Sequence, residues 1–152
     1  MDSNMTLLRL LGVGISPYAA RGLTQTLKPI DAASVLRRTV NANLVDVADP
    51  IFRKFESVIS GADQEPPSFG EWWPGMEVTV HCVAMLSRLA TTEDDPDATD
   101  LDVERPPVPG SAELRDGFLV YRPILTMRVT DWNMTESEWE RGVQWAINLE
   151  EV

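Results

Sequence analysis

The only histidine, His81, and the only cysteine, Cys82, are adjacent in the sequence, and a base beside a thiol is the pairing that nucleophilic catalysis uses. Both lie in the run Met76–Leu86, where apolar and polar residues alternate as in a half-buried strand. Because neighbouring strand residues point to opposite faces, His81 and Cys82 cannot meet as base and nucleophile. We therefore expect His81 to be an ordinary surface or interface residue, Cys82 to be a small core residue, and the chain to have no catalytic residue.

Acidic side chains are concentrated in one segment, where carboxylates can in principle bind calcium. The seven are Glu93, Asp94, Asp95, Asp97, Asp100, Asp102 and Glu104, with no basic residue among them. The segment lacks the central glycine and the terminal glutamate of an EF-hand loop, so a solvated acidic loop is the simpler interpretation. No Cys and His cluster suits zinc, and Gly12-Val13-Gly14 lacks the third glycine and the helix of a dinucleotide site. We expect no metal and no cofactor, whereas a carboxylate pair for glycoside hydrolysis stays open because its spacing is set by the fold.

Tryptophan and proline are the other residues with distinctive chemistry. Trp145 lies on the apolar face of the last predicted strand and is most simply a core residue. The remaining tryptophans, Trp72, Trp73, Trp132 and Trp139, lie at predicted turns or strand ends, where a ring can cap a core, stack on a sugar or anchor a partner subunit. Two loops are stiffened by prolines, namely Pro66, Pro67, Pro106, Pro107 and Pro109. These four tryptophans and five prolines are our candidate interface residues.

Composition limits the class of protein. The 152 residues include 24 acidic and 13 basic side chains, for a net charge of −11 that argues against nucleic-acid binding through a basic face. With 43% apolar and 24% charged residues, the chain is typical of one globular domain, which we place at residues 1–152. The apolar stretch Leu7–Ile15 is interrupted by Arg9 and two glycines, so we expect neither a signal peptide nor membrane insertion. A single cysteine is compatible with a reducing cytoplasm.

Strand patterns dominate the sequence. Single strands are predicted at Leu7–Ile15, Gly22–Ile30, Phe55–Ser60, Met76–Leu86, Phe118–Thr130 and Gly142–Glu150, and a hairpin at Ser34–Val47 with its turn at Asn41-Ala42-Asn43. Trp73-Pro74-Gly75 fits a type II turn that leads into the Met76–Leu86 strand. These seven to eight strands predict an all-β fold, an antiparallel β-sandwich or barrel.

Other segments interrupt the strands. Residues 90–117 read as a long acidic and proline-rich loop within the domain, and Pro123 should mark an edge or a bulge. Helical signals are weak. Thr135–Glu138 has the form of a capping box with room for about two turns, and Asp31–Ala33 allows one turn at most.

Several short motifs along the chain resemble those of a group of small virion proteins of tailed bacteriophages. They are Ser16–Leu27, Arg38–Asn41, Phe52–Lys54, Ile59-Ser60, Trp73–Gly75, Tyr121–Pro123 and Leu149–Val152, and the similarity runs nearly end to end. Relatives in that group tend to carry Gly after the hairpin Asn and Cys after the Ile-Ser pair, where this chain has Ala42 and Gly61. The resemblance implies a multi-copy, non-enzymatic structural subunit without a cofactor. Its place would be the tail tube end, an adaptor, or a baseplate or hub ring.

The expected partners are copies of the chain in a ring or array and other virion proteins, in a virion assembled after synthesis in the host cytoplasm. A ring subunit must offer two different surfaces to its neighbours, and open strand edges suit that role. Two alternatives stay open, a capsid decoration or cement protein and a carbohydrate-binding module for host recognition. An enzyme is the remaining and weakest alternative.

Overall fold

Antiparallel β-strands make up most of the computed structural model, which describes residues 8–11, 22–67, 69–96 and 105–152. The strands are β1 Arg9–Leu11, β2 Thr24–Pro29, β3 Leu36–Arg38, β4 Leu44–Asp46, β5 Phe55–Asp63, β6 Glu77–His81, β7 Leu86–Leu89, β8 Glu113–Arg115, β9 Phe118–Tyr121, β10 Ile124–Glu136 and β11 Val143–Glu151. Helix in the described ranges is limited to single 3-10 turns at Asp31–Ala33, Pro50–Phe52 and Phe69–Glu71. The expected mainly antiparallel β structure is confirmed.

Three separate sheets are formed by these strands. The main sheet has six strands in the order β1-β6-β10-β11-β5-β2, and every neighbouring pair is antiparallel. Strands β3 and β4 form an isolated hairpin, and β7, β9 and β8 form a three-stranded sheet. The main sheet is open, because its edge strands β1 and β2 do not pair with each other in the described part of the chain.

One face of the main sheet carries the core. Alternate residues of each long strand are buried on that face, as the two-residue period of a strand requires. The buried apolar side chains include Leu8, Leu10, Ile59, Val78, Val80, Leu125, Met127, Val129, Val143, Trp145, Ile147 and Leu149. Trp72 and Cys82, which lie outside the strands, complete the same cluster. The opposite face carries polar residues such as Thr79, Thr126 and Thr130.

Gly61 allows the largest side chain of this sheet to pack against the backbone. A Cβ atom at Gly61 would lie 2.9 Å from Cζ2 and 3.0 Å from Cε2 of Trp145, and 3.2 Å from Cδ2 of Leu23. These distances are too short for a side chain, so the indole of Trp145 occupies the space that another residue would need. Trp145 is a core residue, as its strand position predicts.

The predicted strand Met76–Leu86 is wrong in one respect, since it is two strands. Val78, Val80 and Cys82 alternate as expected, but pairing stops after His81 and resumes in β7 of another sheet. The backbone N–H groups of Val83 and Ala84 instead donate to Oε1 of Gln25, at 2.7 and 3.1 Å. Gln25 belongs to β2, so this side chain links one edge of the main sheet to the segment beyond β6.

The predicted strand Phe118–Thr130 also divides. Strand β9 ends at Tyr121 in the three-stranded sheet, and β10 begins at Ile124 in the main sheet. Pro123, expected to mark an edge or a bulge, lies instead between the two strands, where it is buried in an isolated bridge to Pro107. A register shift between Val129 and Asp131 then bulges β10 against β11.

Three differences from the expected strand pattern remain. The described residues form eleven strands instead of seven to eight, because two expected runs divide and β8 lies within the predicted loop 90–117. Thr135–Glu138 does not start a helix, because Thr135 and Glu136 belong to β10 and pair with β11. Of the predicted strand Leu7–Ile15, Arg9–Leu11 is confirmed as β1, while residues 7 and 12–15 lie outside the described residues.

The strand register gives the main sheet two distinct ends. Pro29 of β2 lies opposite Phe55 of β5, and Ile124 of β10 lies opposite His81 of β6. The hairpin β3–β4 and the three-stranded sheet both connect to this end. The turn between β10 and β11, residues 137–142, lies at the other end of the sheet.

Candidate interaction surfaces

The hairpin β3–β4 leaves the main sheet as a separate projection, which we call the arm and define as residues 34–48. It connects edge strand β2 to its neighbour β5, with single 3-10 turns at Asp31–Ala33 and Pro50–Phe52 on either side. Cross-strand pairs are Leu36 with Asp46, Arg37 with Val45 and Arg38 with Leu44. From Val35 to the tip the arm extends about 20 Å at the rise of a β-strand.

Apolar side chains of the arm are exposed on both of its faces. Eight of the seventeen exposed large apolar side chains in the described ranges lie between residues 35 and 52, namely Val35, Leu36, Val40, Leu44, Val45, Val47, Ile51 and Phe52. Leu36 is 59% exposed, and Val40 at the tip is fully exposed at 105%. An isolated two-stranded hairpin buries too little apolar surface to be stable alone, so these side chains are typical of a surface that is covered in an assembly.

Local hydrogen bonds fix the base of the arm. Oδ1 of Asp46 accepts from the backbone N–H groups of Ala48 and Val35, at 3.0 and 2.9 Å. These two bonds hold the pKa of the Asp46 carboxyl below its ordinary value. Below the arm, the N–H of Ile30 donates to the carbonyl of Lys54 at 3.0 Å. The base of the hairpin is therefore closed by bonds within the arm itself, and its described residues from 34 to 47 are exposed.

The tip of the arm is a three-residue turn of Val40, Asn41 and Ala42. The N–H of Thr39 donates to the carbonyl of Asn43 at 2.9 Å, and Ala42 has φ of 64°. A hairpin of this length places its third loop residue in the left-handed region, where Gly is preferred. The turn predicted at Asn41-Ala42-Asn43 therefore lies one residue earlier, and Ala42 is the residue that adopts the left-handed conformation.

The arm and its base are the basic part of an acidic chain. Residues 34–54 carry four basic side chains, Arg37, Arg38, Arg53 and Lys54, against the two acidic ones Asp46 and Asp49, whereas the whole chain has a net charge of −11. All of the arm's charged side chains are exposed. The arm thus presents exposed apolar groups together with positive charge.

The three-stranded sheet β7-β9-β8, which we call the plate, is the second partly apolar surface. Its inner face carries Leu119 and Tyr121, which are buried. The alternate residues Leu89 and Phe118 lie opposite each other on the outer face and are 71% and 47% exposed. Met85, just before β7, is 44% exposed.

Paired charges border the plate. Asp94 accepts two bonds from the Arg88 guanidinium at 3.0 and 2.7 Å and one from the Thr91 N–H at 2.6 Å. The Arg88 guanidinium is the main cause that lowers the pKa of Asp94. The described residues 86–96 and 105–122 carry five acidic and four basic side chains, so the border of the plate is close to neutral.

Arg105 joins the proline-rich segment to the end of the main sheet. Its Nε and Nη2 donate to the two carboxylate oxygens of Glu151, at 3.0 and 2.8 Å, and both side chains are only 12% exposed. Nη2 also donates to the carbonyl of Arg53 at 3.1 Å, and the guanidinium lies 4.5 Å from the centre of the Phe55 ring. The N–H of Phe55 donates to Glu151 at 2.9 Å. One ion pair thus connects β11, the base of the arm and the segment that leads to the plate.

The candidate tryptophans separate into two groups. Trp72 is fully buried in the core, and Trp132 packs against the core and donates from its indole N–H to the Trp72 carbonyl at 2.9 Å. Both positions correspond to core capping, so neither ring is freely presented by the protomer. Trp73 and Trp139 are 69% and 90% exposed. Trp73 lies in the turn before β6, where Gly75 has φ of 98°, as the predicted type II turn requires.

The candidate prolines also differ in exposure. Pro66, Pro106 and Pro109 are exposed, Pro107 is half-buried and Pro67 is buried. The segment around Pro107 runs beside Tyr121–Ile124, with the N–H of Val108 donating to the Arg122 carbonyl at 2.8 Å and the N–H of Ile124 to the Pro106 carbonyl at 2.8 Å. Pro106 and Pro107 therefore belong to a segment that is bonded along Arg122–Ile124, while Pro66, Pro106 and Pro109 are the candidate prolines with exposed side chains.

His81 and Cys82 lie next to each other where β6 ends. His81 is half-buried, and Cys82 is buried with burial raising the pKa of its thiol to about 11. Among the described residues, no three potential ligand side chains are grouped for a metal ion, and residues 97–104 of the acidic segment lie outside that part of the chain. The described ranges also contain no helix of sufficient length and apolar character to cross a membrane.

An open cleft lies at the turn between β10 and β11. It encloses about 470 Å³ and is bordered by polar side chains, including Gln64, Glu140, Arg141 and Gln144. Trp139 belongs to the same turn and is 90% exposed, but it is not among the residues that border the cleft.

Comparison with known proteins adds no assignment, since no family model, no curated protein and no solved structure matches the chain. The arm, the plate and the exposed tryptophans are therefore the features of the molecule that bear on its function. The apolar residues of the arm were not recognised as an interface from the sequence. Their signal was present, because Leu36 and Leu44 occupy one face of the hairpin while Val35, Val45 and Val47 occupy the other, so neither face is fully polar.

Proposed function

We propose that this chain is a non-enzymatic structural subunit of a tailed-phage virion, associated with the tail and acting through oligomeric assembly. The observation that carries the proposal is the arm, a hairpin with apolar side chains exposed on both faces. A monomer gains little from such a projection, whereas a subunit of a ring or array buries it against a neighbour. The end-to-end resemblance to small virion proteins supports the tail as its location.

Immunogold labelling can test this assignment. An antibody raised against the purified chain is applied to particles of a tailed phage whose genome encodes the sequence. Label at the tail or at its junction with the head supports the proposal, and label over the whole shell supports a decoration protein instead. Absence of the chain from complete particles would refute both.

The finer architecture belongs to the same proposal. We infer that the main sheet is a partly closed barrel, because Gln25 of edge strand β2 bonds to the segment that follows β6 near the opposite edge. Assembly would then cover the remaining opening. An experimental structure of the assembled protein tests this, and a flat main sheet in that assembly would contradict it.

Carbohydrate binding is the second candidate, favoured by the exposed indole of Trp139, since an exposed aromatic ring can stack on a sugar. Titration with cell-surface glycans, followed by tryptophan fluorescence, should give a saturable change that disappears in Trp139→Ala. Trp73→Ala is the matched control, because Trp73 is also exposed but lies in the turn before β6. A glycan response that survives Trp139→Ala would exclude this site.

A further inference from the structure

We propose that the arm of one copy docks on the far end of the main sheet of the next copy, so that copies join head-to-tail. The far end is defined as the turn 137–142 between β10 and β11, together with the neighbouring residues Gln64, Glu65 and Glu136. This inference rests on the proposed role in assembly and names the partner of the arm, which is a second copy of this chain. It also gives Trp139, which lies in the turn, a different role from sugar binding.

The arm and the far end lie at opposite ends of the same strands. Strand β5 begins at Phe55, where the chain returns from the arm, and ends at Asp63, which pairs with Val143 directly after the turn. The nine residues of β5 extend about 26 Å at the rise of a β-strand, whereas the arm extends about 20 Å from Val35 to its tip. The arm is therefore too short to reach the far end of its own copy, and only another copy can present that surface to it.

Charge complementarity favours this pairing. The far end carries four acidic side chains and one basic side chain, all of them exposed, namely Glu65, Glu136, Glu138, Glu140 and Arg141. The arm and its base, residues 34–54, carry four basic and two acidic side chains. Two arms would repel each other, and so would two far ends, whereas opposite potentials favour the contact of an arm with a far end.

Arg37 and Arg38 give the arm a positive charge on each of its faces. Nη1 of Arg38 donates to the Ala42 carbonyl at 2.9 Å, so this guanidinium is held beside the turn at the tip while the side chain stays exposed. Arg37 faces the opposite side of the hairpin, because adjacent strand residues alternate. Guanidinium groups bind carboxylates and also stack on indole rings, and the far end offers both kinds of group.

Exposed apolar side chains are present on both surfaces as well. On the arm, Val40 is fully exposed at the tip, and Leu36 and Leu44 share one face. At the far end the Trp139 indole is 90% exposed, and Met134, two residues before the end of β10, is also exposed. Burial of these groups against one another removes apolar area from water on both copies. Charged residues lie beside them on both surfaces, as at the polar rim of stable interfaces.

A head-to-tail contact uses two different surfaces, so the last copies of a growing assembly keep one free arm and one free far end until a ring closes. An arm-to-arm contact would stop at a dimer. The two arrangements therefore differ both in the contacts formed and in the number of copies.

Disulfide trapping with full-length cysteine variants tests the contact. Val40→Cys places a thiol at the exposed tip of the arm, and Ser137→Cys places one in the turn of the far end. Ser87→Cys is the matched control, because Ser87 is also an exposed serine but lies on the plate, which connects to the same end of the main sheet as the arm. The native Cys82 is buried and its thiol pKa is raised to about 11, so it contributes little background.

A mixture of the Val40→Cys and Ser137→Cys proteins should give a cross-linked dimer under mild oxidation. Neither protein alone, nor a mixture of Val40→Cys with Ser87→Cys, should give a comparable yield. Tryptophan fluorescence on urea unfolding verifies that each variant is folded, because Trp72 and Trp145 are buried in the core.

Charge reversal tests the complementarity separately, with sedimentation velocity as the measurement. Arg37→Glu should weaken association about tenfold, a change that corresponds to about 1.4 kcal/mol. Arg115→Glu is the matched control, because it changes the net charge of the chain equally but lies on the plate, and it should change association little. Association of the unsubstituted chain should also weaken as the salt concentration rises. Equal effects of the two reversals would contradict the pairing.

Three further results would overturn the inference. They are efficient cross-linking of Val40→Cys with itself, cross-linking of Val40→Cys to Ser87→Cys as efficient as to Ser137→Cys, and a chain that sediments as a monomer at all concentrations. None of these removes the chain from the virion, because immunogold labelling answers that question separately. A positive cross-link in a chain that is absent from particles would support the contact and refute the virion assignment alone.

Discussion

The ion pair between Arg105 and Glu151 allows a quantitative test of how the end of the sheet is held. Glu151→Ala removes the carboxylate that accepts two bonds from Arg105 and one from the Phe55 N–H. Because both charged side chains are only 12% exposed, the guanidinium is left with little water in place of its partner. Removal of one member of a buried pair costs about 3–5 kcal/mol. For a chain of this size each kcal/mol lowers Tm by about 2–4 °C, so we expect a decrease of about 6–20 °C.

An exposed ion pair on the same sheet supplies the matched control. Arg128 and Glu77 are 3.3 Å apart, but their side chains are 50% and 53% exposed. Glu77→Ala should therefore change the free energy of unfolding by no more than about 1 kcal/mol. Both variants remove one glutamate from the main sheet, so the difference between them isolates the effect of burial.

Urea unfolding followed by tryptophan fluorescence measures both variants, because Trp72 and Trp145 are buried in the core. The double variant Arg105→Met/Glu151→Met removes both charges and should be more stable than either single variant. Equal, small effects of Glu151→Ala and Glu77→Ala would refute the reasoning. Strict additivity of the two methionine substitutions would refute it as well.

Four smaller predictions concern the core and the arm. Gly61→Ala should lower the free energy of unfolding by about 1–3 kcal/mol, because the added Cβ meets the Trp145 indole. Gly142→Ala is the control and should not lower it, because a Cβ there meets no atom within 4 Å. Urea unfolding measures both variants. Ala42→Gly should relieve about 1 kcal/mol of left-handed strain and slow amide exchange at the tip of the arm. The pKa of Asp46 is lowered in the folded arm, so the ionised carboxylate stabilises the arm fully above its ordinary pKa, and this stabilisation is lost as pH falls below about 4. Amide exchange at the base of the arm should then accelerate. An exchange rate that does not change with pH in this way would contradict the prediction. Burial raises the pKa of Cys82 to about 11, so this thiol should react with a thiol reagent at pH 8 only after unfolding.

Local patterns in the sequence predicted much of the main sheet. The alternation in Gly142–Glu150 and in Phe55–Ser60 gave β11 and β5 with small errors at the ends, and Trp73-Pro74-Gly75 gave the turn before β6. These predictions depend on residues that are close together in the chain, which is why the pattern was sufficient. The same holds for the two strands of the arm, although its turn lies at Val40, Asn41 and Ala42, one residue before the predicted position.

Contacts between residues far apart in the chain explain strand ends that the sequence did not predict. The strand predicted at Met76–Leu86 ends early because Gln25, far away in the chain, takes the N–H groups of Val83 and Ala84. No property of the alternating run itself predicts that interruption. The hairpin between β8 and β9 is different, because it is local and was still not predicted: the chain reverses at Asp116 and Gly117, both of which have positive φ, and Asp-Gly is a common two-residue hairpin turn.

For the candidate interface residues, the sequence gives the residue type but not the exposure of each side chain. Tryptophans at turns were predicted as interface residues from their type and position, but their exposures range from 0% for Trp72 to 90% for Trp139. Type alone does not distinguish a core cap from a projecting ring, because both use the same amphipathic side chain. The exposures identify Trp73 and Trp139 as the residues to substitute first in tests of binding.

Exposed apolar side chains in the arm connect fold, charge and assembly. The arm has no core of its own, so its conformation depends on backbone bonds at Asp46 and on a turn that carries left-handed strain at Ala42. Such a hairpin is held in position but is not strongly stabilised, which suits a segment that completes its packing on a neighbour. Because Arg105 bonds to Glu151 and to the Arg53 carbonyl, the base of the arm and the segment before the plate share one anchor. Loss of that anchor should therefore weaken association between copies at urea concentrations too low to unfold the main sheet.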